Sequence, residues 1–133
     1  MYLVDTNVLS EARRGSVEAR DWLRSVDPNA IYLSVVTLGE IMKGIALKQR
    51  TDPRAAASLT QWLERLRHDH ADRILPITDT VALEWGRLAA ERPRAMADAL
   101  IAATASIHQK IIVTRNAIDF DDTRLPVINP WQL

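Results

Sequence analysis

Four acidic residues occupy positions where a carboxylate is costly or where a sheet presents its ligand-binding edge: Asp5, Glu40, Asp98 and Asp119. Asp5 closes the apolar run Met1-Tyr2-Leu3-Val4 and is followed by Thr6 and Asn7, two side chains able to hydrogen-bond it. Glu40 interrupts the apolar segment SVVTLGEIMKGI, and Asp98 stands near the start of ADALIAATA, the least polar stretch of the chain. Asp119 follows Ile111-Ile112-Val113 after the intervening Thr114-Arg115-Asn116. Each has a plainer reading when taken alone. Asp5 fits a helix cap, Glu40 fits an ion pair with Lys43 at i+3, and Asp98 fits a first helical turn, where an acid favours the dipole.

Taken together they point to narrower chemistry. Carboxylates that converge within a few Å repel one another and raise one another's pKa. A hard divalent cation relieves this, because Mg²⁺ and Mn²⁺ prefer oxygen ligands. Such an ion orients a water, lowers its pKa and offsets the charge that develops on phosphate during displacement. An all-oxygen acidic site without His or Cys ligands therefore points to metal-assisted phosphodiester chemistry.

The elements that must position these acids are legible in the hydrophobic pattern. Tyr2-Leu3-Val4 reads as a short buried strand, followed by a helix from Asp5 to about Arg14 that Gly15 ends. Val17, Trp22, Leu23 and Val26 mark an amphipathic helix closing near Asp27-Pro28. Ala30 to Leu33 reads as a second strand, with Ser34 capping a helix from Val35 to about Lys48. Pro53 opens a helix carrying Leu59, Trp62, Leu63 and Leu66. Ile74 to Ile77 reads as a third strand, and Asp79 or Thr80 as the cap of a helix with Val81, Leu83, Trp85 and Leu88. Ala95 to His108, nearly all small or apolar, predicts a helix packed on most sides. Ile111 to Val113 and Val127-Ile128 complete the strands. Short β-branched strands alternating with helices predict an α/β domain with a parallel sheet covered on both faces. In such sheets ligands bind beyond the carboxyl ends of the strands, which is where Asp5 and Asp119 fall.

Composition sets outer bounds. A chain of 133 residues and 15.0 kDa is expected to form one domain over 1–133. No apolar run approaches the roughly 20 residues that span a bilayer, and the N-terminus has no cleavable leader pattern. Without cysteine there are no disulfides and no sulfur-ligated zinc, so an intracellular location is expected. Seventeen basic and seventeen acidic residues cancel, which neither announces nor excludes a nucleic-acid partner.

The segments YLVDTNVLSE, LSVVTLGEIMKGI, ADALIAATA, VTRNAIDF and VINPW, in that order, resemble the PIN-domain family. Within it the chain looks most like the VapC-type toxins of toxin–antitoxin pairs, in their FitB-like branch. The resemblance implies a three-layer α/β/α sandwich with a short central parallel sheet. It also implies a Mg²⁺- or Mn²⁺-dependent endoribonuclease of the prokaryotic cytoplasm that cleaves tRNA or other structured RNA. The expected partners are a cognate VapB- or FitA-like antitoxin and a second copy in a homodimer, with DNA met only indirectly through the antitoxin and no membrane. Carried over position by position, Asp5 and Asp98 are the strongest metal ligands, and Glu40 and Asp119 complete the catalytic pocket directly or through water. Thr6 and Asn7 would orient Asp5, Thr114 and Asn116 would order the opposite loop, and Arg115 would meet substrate phosphate or pair with an acid. Many relatives carry Pro before the third acid, where this chain has Met96-Ala97; that position supplies no ligand. The expected products are a 5′-phosphate and a 3′-hydroxyl.

Two other readings compete. Phosphatases of the haloacid-dehalogenase type also place Asp after the first strand but need a second Asp two residues on, and this chain has Asn7 there. A non-enzymatic role, as the dimeric partner of a DNA-binding antitoxin in autoregulation, would not require four acids. Arg13, Arg14, Lys43, Lys48, Arg50 and Arg54 are candidates for holding an RNA backbone or, equally, a solvated charged surface. His68 and His70 lack a matching ligand set. Trp22, Trp62 and Trp85 read as core or interface, Trp131 as packing the C-terminus, and Ile41, Ile45, Leu59, Trp62 and Leu63 as core or dimer surface.

Overall fold

The computed structural model describes residues 1–133. Five parallel strands, β1 (Tyr2–Val4), β2 (Ile31–Ser34), β3 (Ile74–Leu75), β4 (Ile111–Val113) and β5 (Val127–Ile128), lie in the order β3-β2-β1-β4-β5. Leu3 pairs with Tyr32 on one side and with Ile112 on the other. The chain thus builds outward from β1 in one direction, returns, and builds outward in the other. The crevice between β1 and β4 is the point where the order reverses, the usual ligand position in open parallel sheets.

Alternation along the strands divides the core into two. Leu3 and Ile112 face one layer, where they pack with Val81, Leu88, Ile101, Ala102, Ala105 and Phe120. That layer contains α5 (Asp79–Glu91), α6 (Met96–His108) and a 3₁₀ segment, Ala117–Thr123. Val4, Ile31, Leu33 and Val113 face the other, with Val8, Trp22, Ile41, Ile45 and Leu63. It holds α1 (Thr6–Arg14), α2 (Val17–Ser25), α3 (Val35–Gln49) and α4 (Pro53–Asp69). The result is the expected α/β/α sandwich.

Local chemistry explains most element boundaries. Gly15 ends α1 at φ +107°, a left-handed conformation that β-carbon sterics disfavour in other residues, and its N–H meets the Ala12 carbonyl. Ser34 is both the last residue of β2 and the cap of α3, accepting from the Val36 N–H at 3.0 Å. Three expectations need correction. Ala30 belongs to a 3₁₀ turn capped by Asp27, so β2 starts at Ile31. The third strand stops at Leu75, since Pro76 has no N–H to extend a ladder. Thr78, rather than Asp79 or Thr80, caps α5, accepting from the Val81 N–H at 3.2 Å.

The same packing separates core from surface among the residues left open. Ile41, Ile45, Leu63 and Trp22 are buried in this chain's own core, Trp22 edge-on to Tyr2 at 5.1 Å. Leu59 and Trp62 line an outer cavity of about 430 Å³ between α1, α3 and α4.

Candidate active site

Asp5 follows β1 directly and is only 5% exposed. Its backbone N–H donates to the Val113 carbonyl at 2.8 Å, so the residue sits across the β1–β4 crevice. The plain and the chemical readings of this residue are both satisfied. Oδ1 accepts from the Thr6 N–H at 2.7 Å and caps α1, while Oδ2 accepts from the Thr114 hydroxyl at 2.9 Å and from Asn7 Nδ2 at 3.2 Å. Burial pushes the carboxyl up from its ordinary 3.8 to about 6, opposed by the Thr114 and Thr6 hydrogen bonds and reinforced by the charges of Asp98 and Glu40.

Asn7 and Thr114 tie the two strand ends together. Asn7 Nδ2 also reaches Thr114 Oγ1 at 3.2 Å, and Asn7 Oδ1 accepts from the Arg115 N–H at 3.0 Å. Thr114 Oγ1 in turn accepts from the Asn116 N–H at 3.1 Å, fixing the turn after β4. Thr6 acts differently from the expectation. Its backbone serves Asp5, but its hydroxyl donates to Glu40 Oε1 at 2.6 Å and lies 3.1 Å from Thr37 Oγ1. Glu40 is therefore held from α1, 34 residues away in sequence, and no ion pair with Lys43 forms.

Thr114 is the largest influence that holds the Asp5 carboxyl down. Thr114→Val removes that donor without changing shape much. It is expected to raise the Asp5 midpoint above about 6, read from the carboxyl-carbon NMR titration of metal-free protein. An unmoved midpoint would show that the hydroxyl does not control this carboxylate.

Asp98 enters from the first turn of α6, whose N-terminus has no side-chain cap. It is half-buried, and its carboxyl is raised first by burial, then by the charges of Asp119 and Glu40. Asp5, Glu40 and Asp98 line one cavity of about 310 Å³ together with Thr6, Asn7, Ser10, Glu11, Arg14 and Asn116, without an apolar side chain among them. Asp119, exposed on the 3₁₀ segment, meets Asp98 across an adjoining cavity of about 260 Å³ walled by Arg92, Pro93, Arg94 and Ala95. Asp98 is common to both. The structure thus brings three acids to one pocket and the fourth beside it.

Arg115 lines neither cavity. Its guanidinium lies over the Trp131 ring at 4.9 Å and stands 3.9 Å from Glu11. Asn129 Nδ2 donates to the Arg115 carbonyl at 3.1 Å, so the C-terminal NPW segment braces the loop after β4. Among the six basic residues noted in the sequence, Arg13, Arg14 and Lys48 line the outer cavity, and Arg14 lines the acidic one too. Arg92, Arg94 and Asp122 escaped the sequence reading. They lie in no apolar pattern, and their mutual pairing spans about 30 residues.

No three His, Asp or Glu side chains close into a cation cage. The donor set nevertheless fits Mg²⁺ or Mn²⁺. It is all oxygen, two of its carboxylates are held above their ordinary range, and Mg²⁺ commonly uses one or two carboxylates while keeping several waters.

A parallel sheet with helices on both faces and carboxylates gathered at its switch point defines a class of acid-centred α/β domains. Within that class the chain belongs to the PIN domain family, whose model matches residues 2–125. It is 33% identical to Toxin FitB of Neisseria gonorrhoeae over 98% of this chain and 99% of that one. It is 32% identical to Ribonuclease VapC10 of Mycobacterium tuberculosis over 90% of this chain and 86% of the relative. The crystal structure of FitAcB from Neisseria gonorrhoeae superposes with a TM-score of 0.91 at 33% identity, covering all of both chains.

Proposed function

We propose that this chain is the toxin of a VapBC-type toxin–antitoxin pair, an endoribonuclease that hydrolyses RNA phosphodiesters with Mg²⁺ or Mn²⁺. The observation that carries the reading is the pocket shared by Asp5, Glu40 and Asp98, in which two carboxyls are held above their usual range. A relative named as a toxin and another named as a ribonuclease support it. So does the fit of the oxygen donors to a hard cation.

In this reading Asp5 and Asp98 would hold the ion, and Glu40 and Asp119 would complete its surroundings directly or through water. When bound, Mg²⁺ or Mn²⁺ lowers the pKa of a water and offsets charge developing on phosphate. Thr114 and Asn7 keep Asp5 in one orientation, which is what a ligand of fixed geometry requires. Thr6 fixes one oxygen of Glu40 and leaves the other free of protein donors, so Glu40 would be a held acceptor for the proton of the attacking water. The water oxygen bonds to phosphorus in line as the bond to the 3′-oxygen breaks. The 3′-oxygen takes a proton from solvent, and the products are a 5′-phosphate and a 3′-hydroxyl. Arg14, at the junction of the acidic and outer cavities, and Arg13 and Lys48 beyond it, would track the neighbouring phosphates. The exposed part of Arg115 offers a further phosphate contact.

The partners in this reading are a cognate VapB- or FitA-like antitoxin and a second copy of the chain, with DNA reached through the antitoxin. No helix is long and apolar enough to cross a membrane. Expressed alone in bacteria, the chain is expected to arrest growth and fragment cellular RNA. Co-expression of a short protein encoded beside it should relieve both effects. Continued growth with intact RNA at high expression would overturn the proposal.

A further inference from the structure

We infer that Arg92, Arg94 and Asp122 form a brace whose task is to hold Asp119 against Asp98, so that these three are positioning residues for the second half of the acid cluster. The inference rests on the metal-dependent nuclease reading above. Asp119 sits on Ala117–Thr123, a 3₁₀ run of seven residues with no side-chain cap at Asn116. Such helices have poor hydrogen-bond geometry and seldom exceed three or four residues. A catalytic acid on one therefore needs fastening from elsewhere.

The brace supplies it. Arg94 is bidentate to Asp122, Nη1 to Oδ1 at 3.1 Å and Nη2 to Oδ2 at 2.8 Å, and its Nε donates to the Leu88 carbonyl at 3.1 Å. Its side chain is only 4% exposed, so the pair is shielded from solvent on the arginine side. Arg92 Nε stands 3.0 Å from the same Asp122 Oδ2, while its Nη2 donates to the Asp119 carbonyl at 2.9 Å. Three elements are thereby joined at one point: the end of α5 through Leu88, the approach to α6 through Arg94, and the 3₁₀ segment through Asp119 and Asp122. Asp98 stands four residues after Arg94, in the first turn of α6, so the brace at the approach to α6 bears on where both acids stand. The guanidinium donors are largely committed to protein acceptors, which favours positioning over direct capture of RNA phosphate.

Arg92→Ala tests this with the Arg94–Asp122 pair left in place, and Asp122→Asn is the second variant. Mg²⁺ binding to metal-free protein is measured by calorimetry, and cleavage is followed against Mg²⁺ at saturating RNA. Both variants should weaken Mg²⁺ binding about 10- to 100-fold, the usual effect of removing a residue that orients a metal ligand. The Mg²⁺ midpoint for cleavage should move by the same factor, with the KM for RNA at saturating Mg²⁺ unchanged. Arg92→Lys should recover only part of the loss, since one ammonium cannot bridge two acceptors as a guanidinium does. In an Asp119→Asn background Arg92→Ala should add nothing. Unchanged Mg²⁺ affinity in both variants overturns the brace, and so does a raised KM for RNA with unmoved Mg²⁺ affinity, which would make Arg92 a phosphate contact. A wild-type chain that neither binds Mg²⁺ nor cleaves RNA overturns the underlying nuclease reading as well.

Discussion

Replacing Asp98 by Asn is expected to lower RNA cleavage by at least about 100-fold while leaving the fold intact, the magnitude expected when transition-state charge loses one dedicated stabilising group. Asp98 lies at the junction of both acidic cavities, and its charge is felt by Asp5 while Glu40 and Asp119 act on it. Asn keeps the size and removes the charge that a cation requires. Stability should change little because two effects oppose each other. Losing an acid from the first turn of α6 costs roughly 0.3–1 kcal/mol of dipole interaction, while repulsion from the neighbouring carboxylates is relieved. Steady-state cleavage and thermal unfolding measured on one preparation separate the two. Wild-type rates in the variant would remove Asp98 from the site.

The second large effect concerns pH in the absence of metal. Asp5 has a folded-state pKa near 6 against an ordinary 3.8, so the folded protein holds this proton more tightly than the unfolded chain. The stability attached to Asp5 is therefore full below about pH 4 and is lost as pH rises through about 6. A shift of this size corresponds to roughly 3 kcal/mol at 1.36 kcal/mol per unit. The clean comparison is with Asp5→Asn, which cannot titrate. In chelator, the unfolding free energy of wild type should fall relative to the variant by about that amount between pH 4 and 7. Any pH-independent cost of fitting the amide among Thr6, Asn7 and Thr114 cancels from the slope. Added Mg²⁺ should restore wild type above pH 7 and leave Asp5→Asn nearly unchanged. Parallel pH curves for the two proteins would show that Asp5 is not held in its charged form at a cost.

Much of this site was legible before the fold was known, for a physical reason. Carboxylates at Asp5, Glu40 and Asp98 break apolar patterns, and the break is visible in one dimension. The strand-helix alternation places Asp5 at a sheet edge, and Ser34 and Gly15 mark boundaries through local chemistry that needs no tertiary context. What escaped depends on distance. Thr6 turned its hydroxyl to Glu40 instead of Asp5 because α1 and α3 pass each other there, a contact between residues 34 apart. Thr37, fully buried beside that contact, gave no signal in an apolar helix. The Arg92–Asp122–Arg94 cluster gives no signal in one dimension, since pairing across nearly 30 residues leaves no periodic trace. The cap of α5 falls on Thr78, just before the expected Asp79 or Thr80, because neighbouring side chains of these types can all cap.

The site also explains why the phosphatase reading fails on geometry as well as on sequence. Asn7, where an acid–base Asp would be needed, is committed on both sides of its amide: Nδ2 to Asp5 and Thr114, Oδ1 to the Arg115 N–H. It is a strut between two strand ends. A repressor-only role leaves unexplained why three carboxylates should share a pocket at the switch point of the sheet, where their charges oppose one another.

The most direct test of metal-dependent RNA hydrolysis by this chain is incubation of the purified, antitoxin-free protein with a panel of tRNAs and ribosomal RNA fragments in Mg²⁺, with the product ends sequenced. Discrete cleavage leaving a 5′-phosphate and a 3′-hydroxyl is expected, abolished by excess chelator and by Asp98→Asn. Intact RNA throughout the panel, or cleavage that persists in chelator, would contradict it.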